Sequence, residues 1–285
     1  MNASIVLALA AMLCFGLGDF IYKRAAVAGA PAHQFMMVQS SLYLVVVAVF
    51  AWFTATLVYS TAALWGLVSG VFMVVGFYNF AASLKAGAVS IVAPVFRLSF
   101  VLTAALAIAF LDEPLTGPKA AGITLALAAA WLLLGGPSGP AGHDAQSRRG
   151  ALVRAMVATV AVGIGYFIMT IGLRAGAAPA TLVVVQACVV TSLSAGFALA
   201  RDRRFRAEGA VLRNAPFSAL ALAAGFVLLA ESMARGQTSV VVPIAQMGFV
   251  VAAMVGFLFL REAFSLRKGS GIVFAVAALA CLAHG

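Results

Sequence analysis

Charged side chains are scarce in this sequence. They make up 9% of its 285 residues, while hydrophobic residues make up 64%, and a soluble domain usually carries about 25% charged residues. The mean hydropathy is correspondingly high, at +1.11. This composition excludes a soluble globular protein and predicts a protein that lies in a lipid bilayer.

Residues that bind metals or act as nucleophiles are also few. The three cysteines, Cys14, Cys188 and Cys281, lie in separate apolar stretches and form no CxxC pair, which argues against a metal site and a disulfide. The sequence contains no GxxxxGK[ST] loop for ATP phosphates and no HExxH motif. We therefore expect no enzyme, no metal and no cofactor. His33 lies between two apolar stretches, and we expect it to be exposed.

Apolar stretches long enough to cross a bilayer, about 20 residues each, follow one another along the whole chain. Because lipid offers no partners for unpaired backbone groups, and because the stretches lack the alternation of barrel strands, we expect helices. The fold class is therefore an all-α polytopic membrane protein with ten transmembrane helices. The predicted spans are 3–22, 34–56, 62–84, 89–111, 116–134, 151–173, 179–200, 214–234, 238–260 and 266–284.

An internal repeat relates the two halves of the chain. A shift of 149 residues aligns 90–123 with 239–272 without a gap, and a shift of 147 aligns the region around Gly16 with that around Gly163. We predict two five-helix repeats, 1–137 and 151–285, joined by a polar linker at 138–150. The first shift pairs Ser90, Pro94, Phe100, Glu113, Lys119 and Gly122 with Ser239, Pro243, Phe249, Glu262, Lys268 and Gly271. Glu113 and Glu262 precede spans 5 and 10, and we expect them to cap these helices, because a carboxylate is favourable near a helix N-terminus.

An odd number of helices per repeat predicts that the second copy is inverted in the membrane. The basic residues support this prediction, because fourteen Lys and Arg fall on one predicted face and only Lys119, Arg174 and Arg235 fall on the other. By the positive-inside rule, the basic face is cytoplasmic and both termini lie outside. Topology thus explains the net charge of +10, and we expect no nucleic-acid partner.

Several short motifs resemble those of a known family. They are GLGDFIYKRA near the start, VAPVFR and VVPIAQ with their prolines, and the span-end patterns FLDEPLTGPKAAG and FLREAFSLRKGSG. With these motifs the chain resembles, over essentially its whole length, the ten-helix EamA-repeat exporters of the drug/metabolite transporter superfamily. Members of that family are often drawn with cytoplasmic termini, whereas the charge count puts both termini outside, and we adopt the charge count.

The resemblance implies a function and a site. It implies an exporter or exchanger of small metabolites, working by alternating access around a central cavity that is lined by helices 1, 3, 4, 6, 8 and 9. Amino-acid exporters, including those for aromatic amino acids, belong to this group. The resemblance also implies a multi-pass protein of a bacterial-type inner (plasma) membrane.

Few ionisable residues lie inside the predicted spans, and each needs a partner or a purpose because charge is costly in a bilayer. Asp19, Lys85 and Arg97 all lie toward the basic face, so Asp19 can contact Lys85 or Arg97 on a neighbouring helix. It also has Lys23 one turn away on its own helix. In a structural interpretation, Asp19 locks helices 1, 3 and 4 together. In a functional one, Arg97 holds a substrate carboxylate by two parallel hydrogen bonds, while Asp19 competes for Arg97 or carries a proton.

The second repeat carries different residues at the equivalent positions. Tyr166 replaces Asp19 and Gln246 replaces Arg97, while Glu231 and Arg235 are spaced as a helical ion pair. This pair is either a solvated bridge or a second place for proton coupling through Glu231. The two mouths of the cavity are therefore expected to bind substrate, or to close, in different ways.

Proline and aromatic residues complete the predicted site. Pro94 and Pro243 remove a backbone donor inside spans 4 and 9, and each is either a hinge or an ordinary kink. Gln39 and Gln186 are paired by the repeat and predict interhelical hydrogen bonds. The remaining candidates around the cavity are Tyr78, Asn79, Phe96 and Phe100.

These observations predict a secondary-active transporter that exports or exchanges small metabolites, with amino acids as the first candidate substrates. The alternatives are an exporter of drugs or other metabolites, and a membrane scaffold or subunit that transports nothing. The expected partners are a small-molecule substrate and the lipid bilayer. Gly66 and Gly70 form a GxxxG pattern, which we interpret as close packing within the chain, and we expect a monomer or a weak dimer.

Overall fold

The structure of the protein is a computed structural model that describes residues 2–86, 89–134, 145–205, 207–260 and 265–284. Within these ranges the chain is helical and contains no β-strand. A short 3₁₀ helix, Thr61–Leu64, precedes α3. The α-helices are α1 Ala3–Val27, α2 Ala32–Phe53, α3 Trp65–Ala86, α4 Val89–Phe110, α5 Gly117–Leu134, α6 Ala145–Arg174, α7 Pro179–Asp202, α8 Gly209–Arg235, α9 Thr238–Gln246, α10 Gly248–Leu260 and α11 Leu266–Ala283.

Ten segments of this fold are long and apolar enough to cross a membrane, which confirms the predicted all-α, ten-span class. Helix ends differ from the predicted span ends by up to several residues, and two differences change the architecture. The ninth span is interrupted at Met247, so that α9 and α10 share it. The predicted linker 138–150 is helical from Ala145 onward, because its last residues, AQSRRG, include several good helix formers and no proline.

The second repeat is inverted relative to the first, and polar contacts at the two ends of the bundle show it. At one end, the C-terminal part of α1 meets the start of α8, where Arg24 Nε donates to Asn214 Oδ1 at 2.8 Å. At the other end, the start of α7 meets the end of α2, where Thr181 Oγ1 donates to the Thr56 carbonyl at 3.0 Å. We call the first of these the basic end and the second the opposite end.

The two repeats are interlocked rather than side by side. The first helix of each repeat packs mainly against the other repeat: α1 packs on α8, α9 and α10, and α6 packs on α3 and α4. Helices α2 and α7 pair across the centre, and α5 packs on α11. Each half therefore supplies part of the other half's core.

Glycines permit the closest helix crossings, and they occur at equivalent places in both repeats. A Cβ atom on Gly16 would lie 2.5 Å from the carbonyl oxygen of Gly248, and one on Gly163 would lie 3.0 Å from that of Ser99. The repeat relates Gly16 to Gly163 and Ser99 to Gly248. The crossing of α1 with α10 thus reproduces that of α6 with α4.

Two further glycine contacts show the same symmetry and the packing expected of GxxxG. Gly122 of α5 packs on Leu282 of α11, and Gly271 of α11 packs on Leu133 of α5. Gly66 faces the backbone of α7, where a Cβ would lie 2.7 Å from the Leu182 carbonyl oxygen. The GxxxG pattern therefore serves packing between α3 and α7 within the chain, as predicted.

Candidate functional site

A cavity of about 180 Å³ lies at the centre of the bundle. A void of about 150 Å³ is already large enough to hold benzene, so this cavity has room for a small organic molecule. Its lining residues come from the middle of the bundle and from the half nearer the basic end. Helices α1, α2, α3, α4, α6, α7, α8 and α9 all contribute.

The contributions of α2 and α7 correct the expectation that six other helices line the cavity. Gln39 of α2 and Gln186 of α7 both line it. Both also make the interhelical hydrogen bonds that were predicted: Gln39 donates to Ser218 Oγ, and Gln186 donates to Ser69 Oγ at 2.8 Å. The correction arises because α2 and α7 pair directly across the centre, which sequence spacing does not reveal.

Aromatic side chains form much of the cavity wall. Phe96 stacks on Phe80 with ring centroids 4.0 Å apart, and Phe226 contacts both Tyr43 and Tyr166. Such rings present flat apolar surface to a ligand. The aromatic residues of the lining are Phe15, Tyr22, Tyr43, Phe77, Phe80, Phe96, Tyr166 and Phe226.

One ion pair lies in this mostly apolar wall. Arg97 Nη2 donates to Asp19 Oδ2 at 2.8 Å, one of the two contacts with other helices that the sequence allowed for Asp19. The side chain of Arg97 is 13% exposed and that of Asp19 is 43% exposed, so the carboxylate is the more accessible partner. The side chain of Lys85, the other candidate partner, lies outside the described residues.

A chain of hydrogen bonds extends from this pair into the second repeat. Arg97 Nη1 donates to Gln246 Oε1 at 3.3 Å, and Gln246 Nε2 donates to the hydroxyl of Tyr166. Asp19, Arg97, Gln246 and Tyr166 are the residues that the repeat places at matching positions in the two copies. The structure therefore brings both pairs together at the centre of the molecule.

The interruption of the ninth span lies beside Arg97. Helix α9 ends at Gln246, and the carbonyl of Gln246 accepts from Arg97 Nη1 at 3.4 Å. The last carbonyls of a helix lack partners inside the helix and attract a cation. The guanidinium also lies 5.4 Å from the centroid of the Phe249 ring, within the range of a cation–π contact. Arg97 thus holds the broken end of a helix from the other repeat.

The two predicted hinge prolines have different surroundings. Pro94 lies inside α4, which runs unbroken from Val89 to Phe110. Pro243 lies inside α9, three residues before that helix ends. The break therefore occurs only in the second repeat, where Gly248 follows it and the Arg97 side chain is available to the freed carbonyl.

A polar cluster around a buried carboxylate occupies the opposite end of the bundle. Glu113 accepts from the backbone N–H groups of Thr238 and Ser239 at 2.9 and 2.8 Å, from Ser239 Oγ, and from Arg174 Nη2 at 2.9 Å. Its side chain is 2% exposed. We call Glu113, Arg174, Thr238, Ser239 and Lys119 the opposite-end cluster.

From its place in the sequence, Glu113 was predicted to cap α5, the helix that follows it, and this prediction is wrong. The backbone N–H of Lys119, at the start of α5, donates to Thr116 Oγ1 instead. Glu113 caps α9 of the other repeat, where the positive end of the helix favours a carboxylate. Its repeat counterpart Glu262 lies outside the described residues.

Lys119 was predicted only as one of the three basic residues on the less basic face, and the structure buries it. Its side chain is fully buried, and Nζ donates to the Pro114 carbonyl and, at 2.6 Å, to Gln237 Oε1. A lysine in the first turn of a span usually reaches the lipid headgroups, and the feature of the sequence that sets Lys119 apart is its pairing with Lys268 in the repeat. Together with Glu113, it ties α5 to the start of α9.

The other predicted site residues lie farther from the cavity. Phe100 is fully buried in the core and is not among the lining residues. Asn79 Nδ2 donates to the Val75 carbonyl of its own helix and does not line the cavity either. Glu231 and Arg235 form the expected pair at 2.7 Å, also outside the lining. Among the described residues, no three His, Cys, Asp or Glu side chains are grouped as metal ligands.

Two hydroxyl groups of the cavity lining were not singled out from the sequence. Tyr43 of α2 and Ser194 of α7 both line the cavity. Their hydroxyl oxygens are buried and, within the described part of the chain, have no hydrogen-bond partner. Buried polar groups are nearly always paired in folded proteins, so these two groups have capacity for a polar ligand.

A second pocket, of about 300 Å³, adjoins the cavity at the basic end. The two share Met36 and Ala81 in their linings. Tyr78, predicted for the central site, lines this second pocket instead. His33, expected to be exposed, is also in its lining; its side chain is 12% exposed and bonds to Asp202 at 2.9 Å. The expectation failed because α2 begins at Ala32 and carries His33 against the end of α7.

Comparisons with known proteins agree with this architecture. The family model described as "EamA-like transporter family" matches residues 2–135 and again 149–283. A crystal structure whose description states no activity superposes with a TM-score of 0.83 at 15% identity, over 98% of this chain and 95% of its own. At that identity it supports the fold alone. No curated protein matches the chain in sequence.

Proposed function

The chain belongs to the EamA-like transporter family, a family of membrane transporters of small molecules, and we propose that it exports or exchanges amino acids by alternating access. One observation carries the proposal: a cavity extends from the centre toward the basic end, while at the other end Glu113 and Lys119 are buried in contacts between helices. Inverted repeats around a central site are the architecture of alternating access. The next step would open the opposite end and close the basic end.

The ion pair in the cavity gives a reason to prefer amino acids. An amino acid carries a carboxylate and an ammonium group, and Arg97 and Asp19 are complementary to these two charges. The bonds of Arg97 to Gln246 are long, at 3.3 and 3.4 Å, so a substrate carboxylate can replace them with shorter ones. Asp19 is accessible enough to accept from an ammonium group, and the aromatic wall can hold an apolar side chain.

Asp19 is also the carboxylate best placed to couple transport to protons. It lines the cavity, whereas the other candidate, Glu231, does not. Asp19→Asn should then abolish accumulation driven by a proton gradient while exchange between the two sides continues. Accumulation equal to that of the wild type would rule out this role.

Liposomes that contain only this protein provide the test of function. They are loaded with one unlabelled amino acid at a time, and the entry of the labelled form is measured, with protein-free liposomes as the blank. We expect counterflow for at least one amino acid and none above the blank for Arg97→Gln. Flux for drugs or other metabolites but for no amino acid would reject the substrate class. An absence of flux for every compound would favour the membrane scaffold.

The orientation in the membrane is part of the same proposal. We propose a bacterial-type inner membrane, the basic face in the cytoplasm and both termini outside, on the strength of the fourteen basic residues on one face. A reporter that is active only in the cytoplasm, fused after Gly285, should remain silent, and the same reporter inserted after Arg204 should be active. The reverse pattern would overturn the orientation.

A further inference from the structure

The second pocket has features of a binding site that the transport cycle does not use. We propose that it binds a phosphate group whose negative charge is not balanced by a cation of the same molecule, as in an anionic phospholipid or a soluble phosphate. The pocket lies between α2, α3, α6 and α7, and Arg154 of α6 and Arg201 of α7 both line it. Two guanidinium groups that converge from different helices are suited to a group with several charged oxygens.

The arginines of this pocket have hydrogen-bonding capacity to spare. Within the described part of the chain, neither Arg154 nor Arg201 makes a hydrogen bond to the protein. Asp202 lies near Arg201 and interacts with it electrostatically, but its carboxylate already accepts from His33 and Gln34. The two arginines therefore have only the Asp202 carboxylate nearby, and that carboxylate is already bonded to His33 and Gln34. The pocket thus carries an excess of positive charge.

The depth of Arg154 strengthens the case for a bound anion. It lies inside the membrane span 149–174, one and a half turns from its start. A charge at that position is costly in lipid unless it is neutralised or reaches the headgroups. An anion at the level of the lipid phosphates meets both conditions.

The remaining wall of the pocket is aromatic. Tyr78 and Phe197 pack edge to face with centroids 4.9 Å apart, and both are more than a third exposed. Aromatic rings are enriched where a membrane protein meets the lipid headgroups. Basic pockets between helices on the cytoplasmic side are known places for anionic headgroups. A lipid could place its phosphate on the arginines and its glycerol against these rings.

The test compares ligands of defined charge on the full chain in detergent. Thermal unfolding is measured with added phosphatidylglycerol, with phosphatidylcholine and, separately, with inorganic phosphate, because a ligand of the folded state raises the apparent unfolding temperature. The variants are Arg154→Gln/Arg201→Gln and Arg154→Lys/Arg201→Lys. The matched control is Arg204→Gln/Arg213→Gln, which removes two exposed arginines of the same face outside the pocket.

We expect stabilisation by phosphatidylglycerol in the wild type and the control, and about 30-fold weaker binding in the glutamine pair. The lysine pair should retain most of the binding. If inorganic phosphate stabilises the wild type but not the Arg154→Gln/Arg201→Gln variant, the result supports the same site with a soluble ligand. Equal losses in the control, equal effects of both lipids, or no stabilisation by any ligand would overturn the proposal. If the glutamine pair does not fold, Arg201→Gln alone gives the same comparison.

Discussion

The two ends of the bundle use their charges differently. At the opposite end, Glu113 and Lys119 are buried, and their hydrogen bonds go to backbone groups, to Gln237 and to Arg174. Toward the basic end, Asp19 and Arg97 bind each other, and the carboxylate remains accessible. Glu113 and Lys119 thus form the first set of charges, which joins helices. Asp19 and Arg97 form the second set, which leaves capacity for a ligand.

This difference matches the asymmetry of the repeats. The first repeat supplies both carboxylates, Glu113 and Asp19, together with Lys119 and Arg97. The second repeat supplies Arg174 and, to each set, one end of α9: its start contacts Glu113 and its end contacts Arg97. Helix α9 is therefore held at both ends by charges from the other half. A movement that frees the start of α9 from Glu113 therefore acts on the same short helix whose other end Arg97 contacts.

The largest expected effect comes from Glu113. Glu113→Ala leaves two buried N–H groups of α9 without an acceptor, and we expect it to lower the free energy of unfolding by about 3 kcal/mol. Thermal unfolding in detergent measures this. Glu208→Ala is the matched control, since Glu208 also precedes a helix but makes no capping hydrogen bond. Equal effects of the two substitutions would show that the cluster does not hold the opposite end.

The second expected effect concerns substrate binding at Arg97. Arg97→Gln should weaken binding of the amino acid with the strongest counterflow about 30-fold, about 2 kcal/mol, because a charged hydrogen bond to the carboxylate is lost. Isothermal titration of the purified protein gives the affinity. Arg235→Gln, which removes an arginine of the exposed pair with Glu231, should leave the affinity unchanged. An Arg97→Gln protein with wild-type affinity would remove this arginine from the binding site.

The third expected effect distinguishes the crossing of α1 with α10 from the equivalent crossing of α6 with α4 by their stability to an added methyl group. Gly16→Ala forces a methyl group against the backbone of Gly248, and we expect a loss of about 1 to 2 kcal/mol in unfolding free energy. Gly163→Ala, where the nearest atoms are farther away, should cost less. Gly196→Ala has nothing within 4 Å and should stabilise α7 slightly, because alanine favours helix over glycine. The opposite order in unfolding temperatures would contradict the packing described.

The smallest effect is expected at the exposed pair of the opposite end. Glu231→Gln should change the unfolding free energy by less than about 1 kcal/mol, since solvated ion pairs contribute little. Proton-driven accumulation should also be unaffected, in contrast to Asp19→Asn. A loss of accumulation in Glu231→Gln would transfer the coupling role to the opposite end and reverse the comparison.

Much of the architecture followed from the sequence alone. The ten spans and the inverted repeat could be predicted because lipid requires long apolar helices and because the two copies share motifs at a fixed spacing. The contact between Asp19 and Arg97 was one of two that topology allowed, since both residues lie toward the same end of the bundle. These predictions needed only the order and direction of the helices.

Features that depend on the partner of a helix end could not be predicted in this way. The sequence predicts that Glu113 caps the helix nearest to it, but its carboxylate oxygens accept hydrogen bonds from α9, which begins 125 residues later. The break after Gln246 depends on a side chain from the other repeat, whereas Pro94 lies in a helix that is not broken. The lining by α2 and α7 depends on how the two helices pair. Each case is a long-range contact, which local sequence patterns do not encode.

The pairing of α5 with α11 has a consequence in terms of interface symmetry. Gly122 packs on Leu282 as Gly271 packs on Leu133, so the interface is isologous, of the kind that closes a twofold homodimer. Here one chain supplies both sides of it. A single five-helix unit would present this patch to another molecule, but in the duplicated chain each copy of the patch is occupied by the other. The surface through which a half-length protein would dimerise is thus covered within the chain by the other repeat.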